Sequence, residues 1–466
     1  MFDQTLDAAG VLERASGAMG VDGLKSLRYT ATGTEFIFGQ SAKPGGPWPK
    51  YTFDLMITSL NYETGSWSEE LTGQRIRAEM RGGGEPSLPR GTTYAKEGYS
   101  WSQAGAKSYP APWHAENRLH QIWITPHGVI KAALRNHAAL QWQTQGGKSS
   151  AAMSFVEPGR FGATAFLNEE FLVERVESRV AVTYYGVLPF VTTYSDYKNF
   201  GPVKFPTRIQ RSQGGFPILD VIVKEVQPNV AIDFEIPDSV RQSSVPAPKK
   251  AVKVADGVWE IPGSHNCVAI EMRDHIVVVE APLTDDIAVA VFDAVKREIP
   301  NKPIRYVVNT HHHIDHAGGL RAVVDEGATI VTHALNKPLY QGYLAAPRTL
   351  ASAGLAQAKQ DAVYKTVDDK LVMSDGARSV EIHHVRGNDH AEDLIMVYLP
   401  GEKLLVEADA FTPGPPNSPP PAQADAFAVN LVENIERLKL PIDRILPMHG
   451  PIVPLQELYR AVGGIH

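Results

Sequence analysis

Near residue 240 the chain changes its period, and that change limits the available folds more than any other feature. Before it, Leu27, Tyr29 and Ala31 alternate with Arg28, Thr30 and Thr32. Tyr51, Phe53, Leu55 and Ile57 alternate with Thr52, Asp54, Met56 and Thr58. A period of two sends successive side chains to opposite faces of a strand, which predicts a sheet with one face covered. RVAVTY (179–184) and LDVIVK (219–224) repeat the pattern, and the turn-rich AKPGGPWP and RGGGEPSLP punctuate it. A short amphipathic stretch precedes the strands, and one helix is predicted over TPHGVIKAALRNHAAL (125–140), with Pro126 near its start.

The segment PDSVRQSSVPAPKKAVKVADG (237–257) is proline- and serine-rich, has no period, and reads as a linker. Beyond it, strands and helices alternate. HIVVVE, IRYVVN and TIVT are strands, TDDIAVAVFDAVKREI and GGLRAVVDEG are helices, and DLIMVYLPGEKLLVEAD is a hairpin. The helix DAFAVNLVENIERL and the strand RILPMHG close the series, which predicts an α/β layered domain. At 466 residues the chain is too long for one core. The domains expected are a β-rich α+β domain over 1–240, a linker over 241–256 and a second domain over 257–466. A proline-rich stretch, FTPGPPNSPPPAQAD, interrupts the second domain, and loops of this kind are often functional.

The stretch NTHHHIDHAGGL (309–320) holds four histidines and an aspartate within six positions. It follows IRYVVN and precedes a helix, so it lies at the carboxyl end of a strand, where α/β sheets bind ligands. Residues two apart in an extended segment point the same way, so His311 and His313 can grip one ion together while His312 points elsewhere as a bystander. Asp315 and His316 begin the turn and can reach a second position. Imidazole with carboxylate suits zinc, and also iron or manganese.

THHHIDHAGG resembles the T-H-x-H-x-D-H-x-G-G motif of the metallo-β-lactamase-fold hydrolases. GNDHAEDLIMVYLP, EKLLVEAD and LPMHGP resemble the later ligand segments of that family, in order, and the resemblance covers roughly 250–466. It implies an αββα sandwich with a dinuclear site. His311, His313 and His390 would hold one metal. Asp315, His316 and His449 would hold the other, and Asp409 would bridge them. Glu280 stands where the family commonly has an aspartate that supports the ligands. His265, in PGSHNCV, would border the mouth and contact substrate; His333 and His384 would be structural. QGGKSS resembles the tail of a phosphate-binding loop, but Trp142 stands where the first glycine is required.

Two cations about 3.5–4 Å apart can share a water and bring its pKa from 15.7 towards about 7. The resemblance therefore implies hydrolysis by a metal-bridging hydroxide, with Asp315 ligating one metal and orienting the hydroxide. Zinc β-lactamases of the family carry cysteine or serine where Asp409 stands, and an aspartate there resembles the thioesterases, lactonases and phosphodiesterases. A carboxylic ester, lactone or thioester is the expected substrate, with a β-lactam, phosphodiester or sulfate ester as alternatives. An iron-dependent redox enzyme and a non-catalytic metal-binding module are the readings from other classes.

The net charge of −7 argues against a nucleic-acid partner, and no apolar run reaches the roughly 20 residues that span a bilayer. A small-molecule substrate is expected, and a homo-oligomer is left open. The lone Cys267 excludes an intramolecular disulfide. The opening MFDQTLDAAG has no leader features, which gives a cytoplasmic default with a trimmed periplasmic leader as the alternative. The first half resembles the lipoprotein-carrier type of envelope domain, a half-open barrel around a helix. Such a domain would cover the active-site mouth, bind an apolar part of the substrate, build a dimer or serve structure alone. Trp48, Tyr51, Trp101 and Trp113 could line a pocket, but aromatics in a sheet protein are more often core, so none is assigned a role.

Overall fold

The computed structural model describes residues 4–74, 81–83, 90–145, 148–157, 160–182, 185–243, 250–348, 361–415, 419, 421 and 423–463. Parts of RGGGEPSLP, QGGKSS, the linker and the proline-rich stretch lie outside the described residues.

Thirteen strands of the first half form one antiparallel sheet among the described residues. Its middle is a pairing of distant segments: Ser26–Phe36 lies beside Phe216–Pro228, with Leu27 opposite Pro228. The helices Ala8–Met19, Ala115–Trp123 and Pro126–Arg135 pack on this sheet. Helix Ala115–Trp123 meets strands Ser66–Gln74 and Arg90–Lys96 on one side of the strand order. On the other side its His120 ring lies 4.7 Å from Phe161 and 5.2 Å from Phe190. One short helix can touch both flanks only if the sheet curves around it. Trp48, Tyr51 and Trp101 are buried, whereas Trp113 is only half-buried.

The alternation at 51–58 is broken by a bulge. Tyr51 and Phe53 face the core, but the pairing slips between Phe53 and Leu55, so Met56 and Leu60 are buried while Leu55 is 37% exposed. A one-residue slip turns every later side chain to the opposite face. The helix predicted over 125–140 ends at Arg135, because His137 takes a φ of 49° and a strand begins at Ala139.

The second half is two sheets between helices, the αββα sandwich. A seven-stranded sheet and a six-stranded sheet face each other. In Ile276–Val279 every side chain is buried: Val277 and Val279 join the core between the sheets, while Ile276 and Val278 meet helices such as Asp285–Glu298 on the outer face. A strand covered on both sides needs no alternation. Helices Ala426–Leu438 and Leu455–Ala461 cover the other sheet. The expected linker 241–256 is shorter than its composition suggests. Val252–Ala255 already pairs with Val258–Ile261 as the edge of the first sheet, turning at Gly257 with a φ of 66°.

The two halves share one hydrophobic core. Aromatic rings run across the junction, from Phe216 to Trp48 (5.4 Å), Phe38 (4.4 Å), Tyr185 (4.9 Å) and Tyr343 (4.1 Å). The Val187 amide donates to the Pro347 carbonyl at 2.9 Å. No helix among the described residues is long and apolar enough to cross a membrane.

Candidate metal centre

Strand Ile304–Val308 delivers the histidine cluster, and buried polar groups hold the loop that follows. Asn309 donates through Nδ2 to the carbonyls of His311 (2.9 Å) and His316 (3.3 Å), and its Oδ1 accepts from the Tyr340 hydroxyl. His313 caps the one-turn helix Ile314–Ala317, with its carbonyl accepting from the amides of His316 and Ala317. The glycines that follow permit close packing: a Cβ on Gly319 would lie 2.5 Å from the Ala288 methyl.

Three later strand ends bring the distant residues. His390 follows Ser379–His384, Asp409 follows Leu404–Glu407, and His449 follows Arg444–Pro447. The last two strands run parallel with Glu407 opposite Pro447, which sets Asp409 and His449 side by side. Asp409 adopts a φ of 58°, and the Glu407 carboxylate accepts the amides of Ala410 and Phe411 at 3.1 Å each, shaping that turn.

The potential ligand atoms fall into two sets, each within 4.8 Å: His311, His313, His390 and Asp409, and His265, Asp315, His316 and His449. Asp409 joins them. Its Oδ2 is 3.0 Å from His390 Nε2 and 3.1 Å from His316 Nε2, and its Oδ1 is 2.9 Å from His449 Nε2. The structure thus gathers all seven residues singled out as ligands. The open side lies at Asp315 and His449, whose side chains are 30% and 27% exposed.

The donor chemistry fits a metal. His313 gives its Nε2 proton to a backbone carbonyl at 2.8 Å, so Nδ1 is a bare lone pair, and that atom is buried without a hydrogen-bond partner. His390 donates through Nδ1 to another carbonyl at 3.1 Å, and its Nε2 is turned inward, 3.2 Å from His311 Nε2 and 3.0 Å from Asp409 Oδ2. Converging lone pairs repel unless a cation lies between them, and burying polar atoms unsatisfied is costly. Burial pushes His311 down to about 4 and His313 well below the usual range, so both rings are the neutral species that ligate. Burial acts to raise Asp315 and Asp409, but the histidines around them, His316 foremost, override it and hold both as carboxylates.

Glu280 is fully buried, accepts the Thr310 amide at 2.9 Å and lies 3.8 Å from His316 Nδ1. Its longer side chain is accommodated in the supporting position, with a φ of 77°. His312 is not a bystander. Its Nδ1 lies 2.6 Å from Asp393 Oδ1 and its amide donates to Asp393 Oδ2 at 2.8 Å, locking the loop to the hairpin that follows His390. His265, expected as a substrate contact at the mouth, has Nε2 3.4 Å from Asp315 Oδ2 and its ring 4.4 Å from that of His449. It thus belongs to the second donor set. His333 and His384 pack against each other, 4.4 Å apart. Three contacts that no motif announces come from the first half: Gln40 to Asp315, the Ser41 carbonyl to His313 and the Gly83 carbonyl to His390.

The metallo-beta-lactamase superfamily model matches residues 261–449. A linear primary-alkylsulfatase from Pseudomonas sp is 33% identical over 98 residues, 21% of this chain and 14% of that protein. An (R)-specific secondary-alkylsulfatase from Pseudomonas sp is 28% identical over 223 residues, 40% of this chain and 34% of that protein. The aligned parts therefore span about a third or less of these relatives' lengths. Among solved structures, a metallo-beta-lactamase from Pontibacter korlensis aligns over 46% of this chain and 96% of its own, at 18% identity and a TM-score of 0.36. With the sandwich and the ordered ligand segments, the family match makes residues 261–449 a domain of the metallo-β-lactamase superfamily.

Proposed function

We propose that the protein is a metal-dependent hydrolase of sulfate esters. The observation that carries the hydrolase reading is the pair of four-residue donor sets joined through Asp409, with bare nitrogens aimed into them. Relatives named as alkylsulfatases move the favoured bond from the carboxylic ester, lactone or thioester of the sequence reading to the sulfate ester. Sulfate esters are small anionic substrates, which agrees with a cationic centre.

Two divalent cations, zinc by donor type with iron or manganese accepted by the same groups, would supply positive charge for the sulfate and a water of lowered pKa. His311, His313 and His390 would hold one, Asp315, His316 and His449 the other, with Asp409 between and His265 beside the second. Asp315 sits at the open side, one oxygen tied to Gln40 and the other towards His265, so its free lone pairs can orient a water and accept its proton. Burial lowers His265, which stays neutral and can hydrogen-bond an entering group. Hydrolysis cleaves the ester, leaving sulfate and the alcohol, with the water's proton passing to the leaving oxygen.

Turnover across an alkyl sulfate, an aryl sulfate, an aryl ester, a γ-lactone, a thioester, a β-lactam and an aryl phosphodiester tests this, on metal-loaded and chelated protein. Metal-dependent sulfate release is expected. Cleavage of the carboxylic ester alone would replace the substrate assignment, and silence with two metal equivalents bound would overturn the hydrolase.

A further inference from the structure

We infer that the β-rich domain is a structural part of the metal centre: it orients three of the seven ligands, His313, Asp315 and His390, into the state that metal binding needs. This rests on the ligand assignment proposed above.

The two histidines must present opposite nitrogens to one cation, Nδ1 from His313 and Nε2 from His390. Imidazole does not choose between its tautomers unaided, and the hydrogen bond on the far nitrogen decides. A carbonyl can only accept. The Ser41 carbonyl, 2.8 Å from His313 Nε2, therefore fixes the proton there and frees Nδ1. The Gly83 carbonyl, 3.1 Å from His390 Nδ1, fixes the opposite tautomer and frees Nε2. Gln40 adds a third constraint, donating through Nε2 to Asp315 Oδ1 at 2.7 Å and leaving Oδ2 turned to the second donor set.

These contacts belong to a stitched seam. The Gly82 amide donates to the Asp389 carbonyl at 2.6 Å, the Glu392 amide to the Ala42 carbonyl at 2.7 Å and the Ile314 amide to the Gly39 carbonyl at 3.3 Å. Arg81 pairs with Asp389 at 3.0 Å and with Glu392 at 3.2 Å. The segments 39–43 and 81–83 also support each other. Gly82 has a φ of 76°, and a Cβ there would fall against the Gln40 carbonyl oxygen and 2.5 Å from the Ala42 nitrogen. A side chain at Gly82 therefore displaces both carbonyl acceptors that fix the tautomers at once.

Such outer contacts are each worth about 10–100-fold in metal affinity. The experiment is zinc retention by full-length protein, followed in competition with a chromophoric chelator that resolves two binding steps. Gly82→Val is expected to weaken the tighter and the looser step by about 10-fold or more, since His313, His390 and the Gln40 segment all move. Gln40→Ala is expected to weaken one step by about 10-fold and leave the other, since only Asp315 loses its partner. Gly201→Val, at a φ of 61° with open space around it, imposes similar backbone strain away from the site and is expected to change neither. Should Gly82→Val fail to fold, as read by its thermal melt, Gln40→Ala carries the test without altering the backbone. Wild-type protein that takes up fewer than two zinc ions would overturn the dinuclear reading on which the inference rests. Two ions in the wild type, with retention unchanged in Gln40→Ala and in folded Gly82→Val, would leave the dinuclear reading standing and overturn the inference.

Discussion

Two kinds of loop meet at the metal centre, and they work by different chemistry. The loop at 309–319 acts through side chains whose identity is their function: imidazoles and a carboxylate at ligand spacing. The segments 39–43 and 81–83 act largely through backbone carbonyls, which every residue has. The first kind of loop is visible in a sequence, and the second is visible only when the chain is folded. The comparison teaches that the boundary of a site need not coincide with that of the domain that carries its motif.

The harshest test of the side-chain loop and its partners is Asp409→Ala. Among the described residues, Asp409 is the one carboxylate within 3.5 Å of His311, His316, His390 and His449 nitrogens. Its removal should take bound metal from two ions to below one. Losing a ligand costs more than losing an outer contact, so turnover should fall by more than about 100-fold. Full metal content by elemental analysis, with full turnover, would remove Asp409 from the centre.

Next in size is Asp393→Ala, which cuts the tie between the 309–319 loop and the hairpin that follows His390. Asp393 accepts from the His312 amide and from Asn336 Nδ2 (2.7 Å), and pairs with His312 Nδ1, all in a fully buried place. Burial raises its pKa and His312 more than offsets that, so it is a buried carboxylate held by its partners. Breaking a buried pair by removing one member costs about 3–5 kcal/mol. Denaturant unfolding should show a loss of that order, and a loss below about 1 kcal/mol would mean that water substitutes for the carboxylate.

What the sequence made legible follows the same division. The strand-helix alternation could be read because side-chain period encodes it, while the αββα layers and the seven residues that converge came from the resemblance of ordered segments to a known family. The bulge after Phe53 could not, since an unpaired residue leaves no mark in the alternation. The strand Val252–Ala255 was hidden because Lys253 and a neighbouring proline-rich run made the composition read as linker. His265 was read as a mouth residue because no spacing rule links position 265 to 449, and only the fold brings their rings to 4.4 Å. Gln40, Ser41 and Gly83 lie in turn-rich segments with no feature that points 270 or more residues along the chain for the first two.

Buried histidines in the β-rich domain sharpen the comparison from the opposite side. His120 and His127 also have a buried nitrogen without a partner, Nδ1 in each case. Yet among the described residues neither ring belongs to a group that could hold a metal ion. His127 stacks on Phe205 and donates to the Met19 carbonyl at 2.9 Å, and His120 pairs with Ser178 at 2.9 Å. Burial pushes His127 down to about 4 and His120 to about 3. Unfolded, both rings titrate near 6.5, so as pH falls through about 6.5 the unfolded state binds protons first and stability is lost down to the folded values. Between pH 6.5 and 5 each ring should cost about 2 kcal/mol. His127→Leu should remove about that much of the acid-limb loss in denaturant unfolding at the two pH values. An unchanged limb would mean that His127 already carries its charge when folded.

The smallest effect separates the two chemistries within one residue. Ser41 offers a carbonyl to His313 and a hydroxyl that lies 3.0 Å from His312 Nε2 and 2.9 Å from the Lys43 carbonyl. Ser41→Ala deletes the hydroxyl and keeps the carbonyl. If the segment governs metal binding through its backbone, zinc retention should stay within about twofold, while stability falls by about 1 kcal/mol for the lost hydrogen bond. A matching loss of zinc would place the control in the hydroxyl and His312 instead, and would make the seam a side-chain device like the loop it faces. The hydroxyl touches no ligand and the carbonyl touches one, so the expected split is stability without metal loss.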